Sequence, residues 1–173
     1  CVQEEGNHKE DPRFPGSMDF DWEYNWKLAS GCVRGVLEQT GIAPSDVAAV
    51  STTCMREGIL LYDKEGKEIW ACANVDARSN DEVAQLIQSD PELEKELYAQ
   101  SGQSYALNAI PRILWVKNKM PEIYEKTAAV GMFNDWLIYK LTGVLAVEPS
   151  NGSTTGLMDL QSRTWDPSIA RRC

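Results

Sequence analysis

The chain has 173 residues, 43% of them apolar, which is enough for one domain with a packed core. Its formal net charge of −9 argues against nucleic acid and against anionic membranes as partners. No apolar run approaches the roughly 20 residues of a membrane span, and the polar, charged residues 1–15 have no signal-peptide character.

Cys1, Cys32, Cys54, Cys72 and Cys173 are widely spaced, with no C-x-x-C pair, and His8 is the single histidine. The pattern argues for reduced thiols in a cytoplasmic protein and against a zinc site or a disulfide framework. The chain opens on Cys rather than Met, so an N-terminal piece is expected to precede it.

Residues 4–17 are rich in charge, proline and glycine and read as a loop or edge segment. Asp19 and Asp21 suit helix caps. Trp26, Leu28, Ala29, Cys32, Val33, Val36 and Leu37 then recur at helical spacing, and Gly41 ends that helix in the left-handed conformation. After a turn at 43–46, the run Val-Ala-Ala-Val-Ser-Thr-Thr-Cys over 47–54 reads as a buried strand. Residues 58–62 and 68–72 form two further strands, joined by a hairpin turn over 63–67. Helices are predicted over 81–88, 91–100, 111–119 and 121–127, the last two with proline in the first turn. A short strand over 128–132 precedes a helix over 135–141 that Gly143 closes. An extended segment over 144–148, a loop over 150–156 and a strand or turn over 156–160 complete the pattern. Trp70, Trp115 and Trp136 fall on apolar faces and are assigned to the core; His8 is assigned to an exposed loop. Strands and helices interleave as in one α/β domain.

Three polar clusters follow predicted strands, where α/β sheets hold ligands. Met55-Arg56-Glu57-Gly58 offers a guanidinium that donates and a carboxylate that accepts, a pairing suited to a polyol. By residue type alone it reads first as a surface salt bridge at a strand end. Asn74-Val75-Asp76-Ala77-Arg78 carries a second such pair, or is a capped loop leading to the next helix. Glu148-Pro149-Ser150-Asn151-Gly152-Ser153-Thr154-Thr155-Gly156 places a carboxylate before a hydroxyl-rich loop, which suits a general base beside an anion-binding surface, or is an ordinary solvated loop. No G-x-x-x-x-G-K-[ST], G-x-G-x-x-G or G-x-S-x-G motif is present.

Taken in order and spacing, these strings resemble the FGGY carbohydrate kinases. Cys54-Met55-Arg56-Glu57-Gly58-Ile59 and Cys72-Ala73-Asn74-Val75-Asp76-Ala77-Arg78 are the specific part. Ala109-Ile110-Pro111-Arg112, Asp135-Trp136-Leu137 and Pro149-Ser150-Asn151 with Thr154-Thr155-Gly156-Leu157 extend the similarity over about residues 15–165. The resemblance implies a ribonuclease-H-like domain of the actin-like ATPase fold. It implies that residues 1–173 are part of the N-terminal, substrate-binding domain, without the opening Asp-Gly-Thr hairpin and the C-terminal nucleotide domain. ATP and Mg2+ would be held mainly by those parts, with no metal ligand assigned in this chain. The implied reaction is phosphoryl transfer to a small sugar-like polyol. A quorum-sensing signal is the first expectation; a xylulokinase- or glycerol-kinase-like substrate, or a non-catalytic binding module, is the alternative. By the same resemblance Arg56 and Glu57 contact substrate hydroxyls and Asp76 sits at the cleft. Glu148 stands where the family has its catalytic Asp, one methylene longer, and Arg112 stands where a Lys is common.

Overall fold

The computed structural model describes residues 2–6 and 8–173, so Cys1 lies outside the described residues. Five antiparallel strands form the main sheet. They are β1 (His8–Lys9), β2 (Asp19–Phe20), β3 (Ile59–Tyr62), β4 (Glu68–Cys72) and β5 (Ala129–Met132), in the order β1-β2-β4-β3-β5. The predicted hairpin is β3 and β4: Ile59 faces Cys72 and Leu61 faces Trp70.

The central strand β3 is a continuous apolar run because both its faces are covered. Ile59 and Leu61 join Trp70, Cys72, Trp115 and Val116 on one side, against α4 (Ala109–Lys119). Leu60 and Tyr62 join Phe20, Phe133 and Trp136 on the other, against α6 (Phe133–Thr142). All four β3 residues are fully buried. A third cluster of Leu86, Leu93, Leu97, Tyr105 and Ile110 ties α2 (Asn80–Ser89) and α3 (Leu93–Ser101) to the start of α4. Trp70, Trp115 and Trp136 are core residues, as expected.

The first helix, α1 (Trp22–Thr40), has the predicted ends. The Asp21 carboxylate accepts from the Tyr24 N–H, and Gly41 has φ 67°. Gly143 closes α6 in the same way at φ 72°. The short α5 (Pro121–Tyr124) starts on its proline.

Four local expectations are corrected. The run 47–54 is not a buried strand. No ladder runs along it, and Val47 and Val50 are 44% and 60% exposed, because no strand lies beside it to pair with. The expected loop 150–156 is helical, as α7 (Pro149–Gly152) and a 3-10 turn (Ser153–Thr155): a proline at the first position and a capping carboxylate outweigh the loop-like composition. Asp19 lies in β2 and pairs with Arg78 instead of capping a helix. His8 is in β1, with its ring 6.1 Å from Phe20 and 6.5 Å from Phe133, and is partly buried. A separate ribbon of β6 (Met158–Asp159) and β7 (Thr164–Trp165) follows α7.

Candidate active site

A polar cleft of about 520 Å3 lies beside the end of the 47–54 segment, lined by Ser51, Thr52, Thr53, Arg56, Asn134, Glu148 and Asn151 among others. Its volume is that of a small-molecule site. Its walls come from the turn before β3, the start of α6 and the start of α7, so two of the three sequence clusters meet here.

Arg56 is exposed, and among the described residues its guanidinium makes no hydrogen bond or ion pair. Five N–H donors are therefore free for a ligand. Glu57 has φ 70°, a left-handed conformation uncommon for a residue with a side chain. Its carbonyl accepts from Nη1 of Arg112, and its Oε1 accepts from Nε2 of Gln103 at 3.4 Å. Gly58 follows because a Cβ there would lie 2.6 Å from the Phe133 ring.

Behind the cleft, Asn134 and Asn151 are 8% and 4% exposed and hydrogen-bonded to each other, and the Cys54 thiol bridges them. Burial pushes the Cys54 thiol above its ordinary pKa, against hydrogen bonds from its neighbours. The Thr52 hydroxyl donates to the Asn134 carbonyl at 3.1 Å. These contacts hold the otherwise unpaired 47–54 segment against α6.

Glu148 faces the cleft, but its carboxylate is engaged. Oε2 accepts from the Ser150 N–H at 2.9 Å, and Oε1 from the Ser150 hydroxyl at 2.7 Å and the Asn151 N–H. Partial burial acts to raise its pKa, but the hydrogen bonds from Ser150 and Asn151 outweigh it and hold the group below the usual value. A carboxylate satisfied by three donors and held ionised is a helix cap and a weak proton acceptor. The base expected at Glu148 thus meets a geometry that favours a bracing role.

Asp76, expected as a substrate contact, lies outside the residues that line the cleft. Its side chain is fully enclosed and accepts from Met18 N at 2.6 Å, Arg78 N at 3.1 Å and Arg78 Nε at 2.8 Å. The Arg78 guanidinium is also ion-paired to Asp19 and lies 5.2 and 5.0 Å from the Trp70 and Trp115 rings. Both carboxylate oxygens are taken up by Arg78 and Met18, and the Met18 contact ties the 16–20 segment to the loop after β4.

Sequence reasoning passed over Gln103 and noted Arg112 without giving it a role in the site. Arg112, 2% exposed, bridges the carbonyls of Glu57 and Asn74, which lie on two different loops. Only the position of Arg112 in the Ala109-Ile110-Pro111-Arg112 string drew notice to it, and nothing local marks Gln103.

Among the described residues, no group of three or more His, Cys, Asp or Glu side chains is placed to hold a metal ion, and no helix is long and apolar enough to cross a membrane.

The sequence profile described as the FGGY family of carbohydrate kinases, N-terminal domain, matches residues 2–173. Autoinducer-2 kinase of Escherichia coli strain K12 is 50% identical over 168 residues, covering 96% of this chain and 32% of that protein. The autoinducer-2 kinase of Klebsiella pneumoniae is 49% identical over the same share. The chain therefore spans about a third of the length of the curated relatives it matches. In fold it is similar to a xylulose kinase from Rhodospirillum rubrum, with TM-score 0.79 and 22% identity over 96% of this chain and 34% of that one. It is equally similar to a glycerol kinase from Plasmodium falciparum solved with ADP, with TM-score 0.78 and 23% identity over the same shares. With the profile spanning nearly its whole length, this chain belongs to the FGGY family of carbohydrate kinases, whose N-terminal domain it matches.

Proposed function

We propose that the whole protein phosphorylates a small polyol, autoinducer-2, using ATP, and that residues 2–173 supply the polyol-binding wall. The observation that carries this reading is the free Arg56 guanidinium beside Glu57, over a cleft rimmed with hydroxyls and amides. Arg56 donates to substrate oxygens, and the Glu57 carboxylate accepts from substrate hydroxyls. Identity of 50% to autoinducer-2 kinase favours that polyol over xylulose or glycerol.

ATP supplies the phosphoryl group when bound, and its Mg2+ neutralises charge on the phosphates. Among the described residues no group of His, Cys, Asp or Glu side chains is placed to hold that ion. The contribution of this domain is to hold the accepting hydroxyl in line, since phosphoryl transfer depends mainly on positioning and charge. Glu148 braces the loop that closes the cleft, and the site works in the cytoplasm.

An ADP-release assay on the full-length protein tests the reading, with the autoinducer-2 precursor, D-xylulose, L-ribulose and glycerol as acceptors. Turnover of the autoinducer precursor that Arg56→Ala and Glu57→Gln abolish is the expected result. Turnover of xylulose or glycerol alone would move the substrate assignment, and no turnover would reject the kinase reading. The 173-residue chain by itself is expected to release no ADP with any of them.

A further inference from the structure

We infer that Arg112 and Gln103 are positioning residues for the polyol site, Arg112 fixing the main chain of Glu57 and Gln103 fixing its carboxylate. The inference rests on the proposed role of Glu57 in binding hydroxyls.

Glu57 sits at φ 70°, a conformation that a residue with a Cβ rarely holds unaided. The adjacent Gly58 is pinned beneath Phe133, where no Cβ fits. The Glu57 carbonyl accepts from a guanidinium that is 2% exposed and reaches, through its other arm, the Asn74 carbonyl at 2.8 Å. A planar fork can serve two carbonyls on separate loops at once, whereas an ammonium is a single point. Arg112 has no acidic partner within ion-pair distance among the described residues. Its fork is thus directed entirely at main chain, which is the arrangement of a brace.

Gln103, partly buried in the loop after α3, completes it. Its amide donates to Glu57 Oε1 at 3.4 Å and leaves the other carboxylate oxygen free for a ligand. A carboxylate held by one oxygen accepts hydroxyls from one direction, so the pair selects a polyol whose donors match that direction. A backbone relaxed to right-handed φ would carry the carboxylate away from its contact with Gln103.

The test uses the full-length protein, with ADP release measured against polyol concentration, from about pH 5 to pH 8, alongside thermal melts. Gln103→Ala is expected to raise KM about three- to tenfold with kcat within about twofold, since a displaced contact weakens binding without removing a reacting group. Gln103→Glu sets a like charge against Glu57, near Arg56 and Arg112. Its KM is expected to rise more than about tenfold at pH 8 and to recover as the pH falls and one carboxyl takes a proton. Arg112→Lys is expected to raise KM at least about tenfold in a protein that still melts cooperatively. KM within about twofold of wild type for both Gln103 variants at every pH, with an active wild type, overturns the inference alone. A wild type that turns over no polyol overturns the reading on which it rests, and the inference with it.

Discussion

Replacing Glu148 separates a cap from a base. The carboxylate closes α7 by accepting from the Ser150 N–H, the Ser150 hydroxyl and the Asn151 N–H. Loss of a helix N-cap costs about 0.5–2 kcal/mol. Glu148→Ala should therefore lower the melting temperature of the chain by roughly 1–8 °C, at about 2–4 °C per kcal/mol for a domain of this length. Glu148→Gln keeps an acceptor oxygen in place and loses only the charge, so its melt should move by about half as much. Removing a general base costs a factor of about 100 to 10,000 in rate. A brace that still holds its loop costs far less, so kcat of full-length Glu148→Gln should stay within about tenfold of wild type, a barrier change of roughly 1.4 kcal/mol. The assay is steady-state ADP release on wild type, Gln and Ala variants, beside calorimetry on each. A fall of kcat beyond about a thousandfold in Glu148→Gln with an unchanged melt would refute the capping argument and restore the base.

Two further perturbations follow from buried charge. Arg78→Met leaves the fully enclosed Asp76 carboxylate without its counter-charge, at a cost of about 3–5 kcal/mol; a melting temperature unchanged in a thermal scan would contradict this. Asp135, 2% exposed, has its pKa pushed up to about 6 by burial, against hydrogen bonds from the Met132 and Glu148 N–H groups and with the Glu148 charge adding to the rise. The native state therefore holds this proton more tightly than the unfolded chain. Stability from this group is gained as pH falls through 6 toward 4, and above 6 the ionised form weakens the fold by at most about 3 kcal/mol. Wild type should gain on Asp135→Asn in urea denaturation between about pH 7 and pH 4; parallel pH profiles would contradict it.

What the sequence carried best were elements whose cause is local. Asp21, Gly41 and Gly143 mark helix ends through their own side chain or lack of one, and the β3–β4 hairpin is written in two apolar runs around Asp63-Lys64-Glu65-Gly66-Lys67. The failures have non-local causes. Residues 47–54 are as β-prone as β3, but a strand is made by its neighbours, and here no ladder forms. The Ser-Asn-Gly-Ser composition of 150–156 says loop, and a carboxylate two residues upstream together with Pro149 makes it helical. In the site, the Arg56-Glu57 cluster was singled out by resemblance, residue type alone favouring a surface salt bridge. Its support from Gln103, 46 positions away, and from Arg112, 55 positions away, depends on packing that no short window contains.

Three arginines illustrate why residue type alone leaves such clusters ambiguous. Arg56 and Arg78 lie near strand ends, each within two residues of a carboxylate in sequence, and Arg112 lies in the first part of α4; by residue type any of them could read as a ligand contact. Arg78 is buried and ion-paired to Asp76 and Asp19, so releasing its donors to a ligand would strand the buried Asp76 carboxylate. Arg112 is buried and bound to two carbonyls, so a ligand could gain its donors only by taking them from the turn that shapes Glu57. Arg56 alone is exposed and uncommitted, at the edge of a cleft of ligand size. A ligand that binds there replaces water instead of a protein partner, and its hydrogen bonds are not offset by any broken inside the fold. On the proposed function, the donors that Arg112 spends on the Glu57 carbonyl fix the turn from which Arg56 offers its own, while those of Arg78 are spent elsewhere, on Asp76 and Asp19.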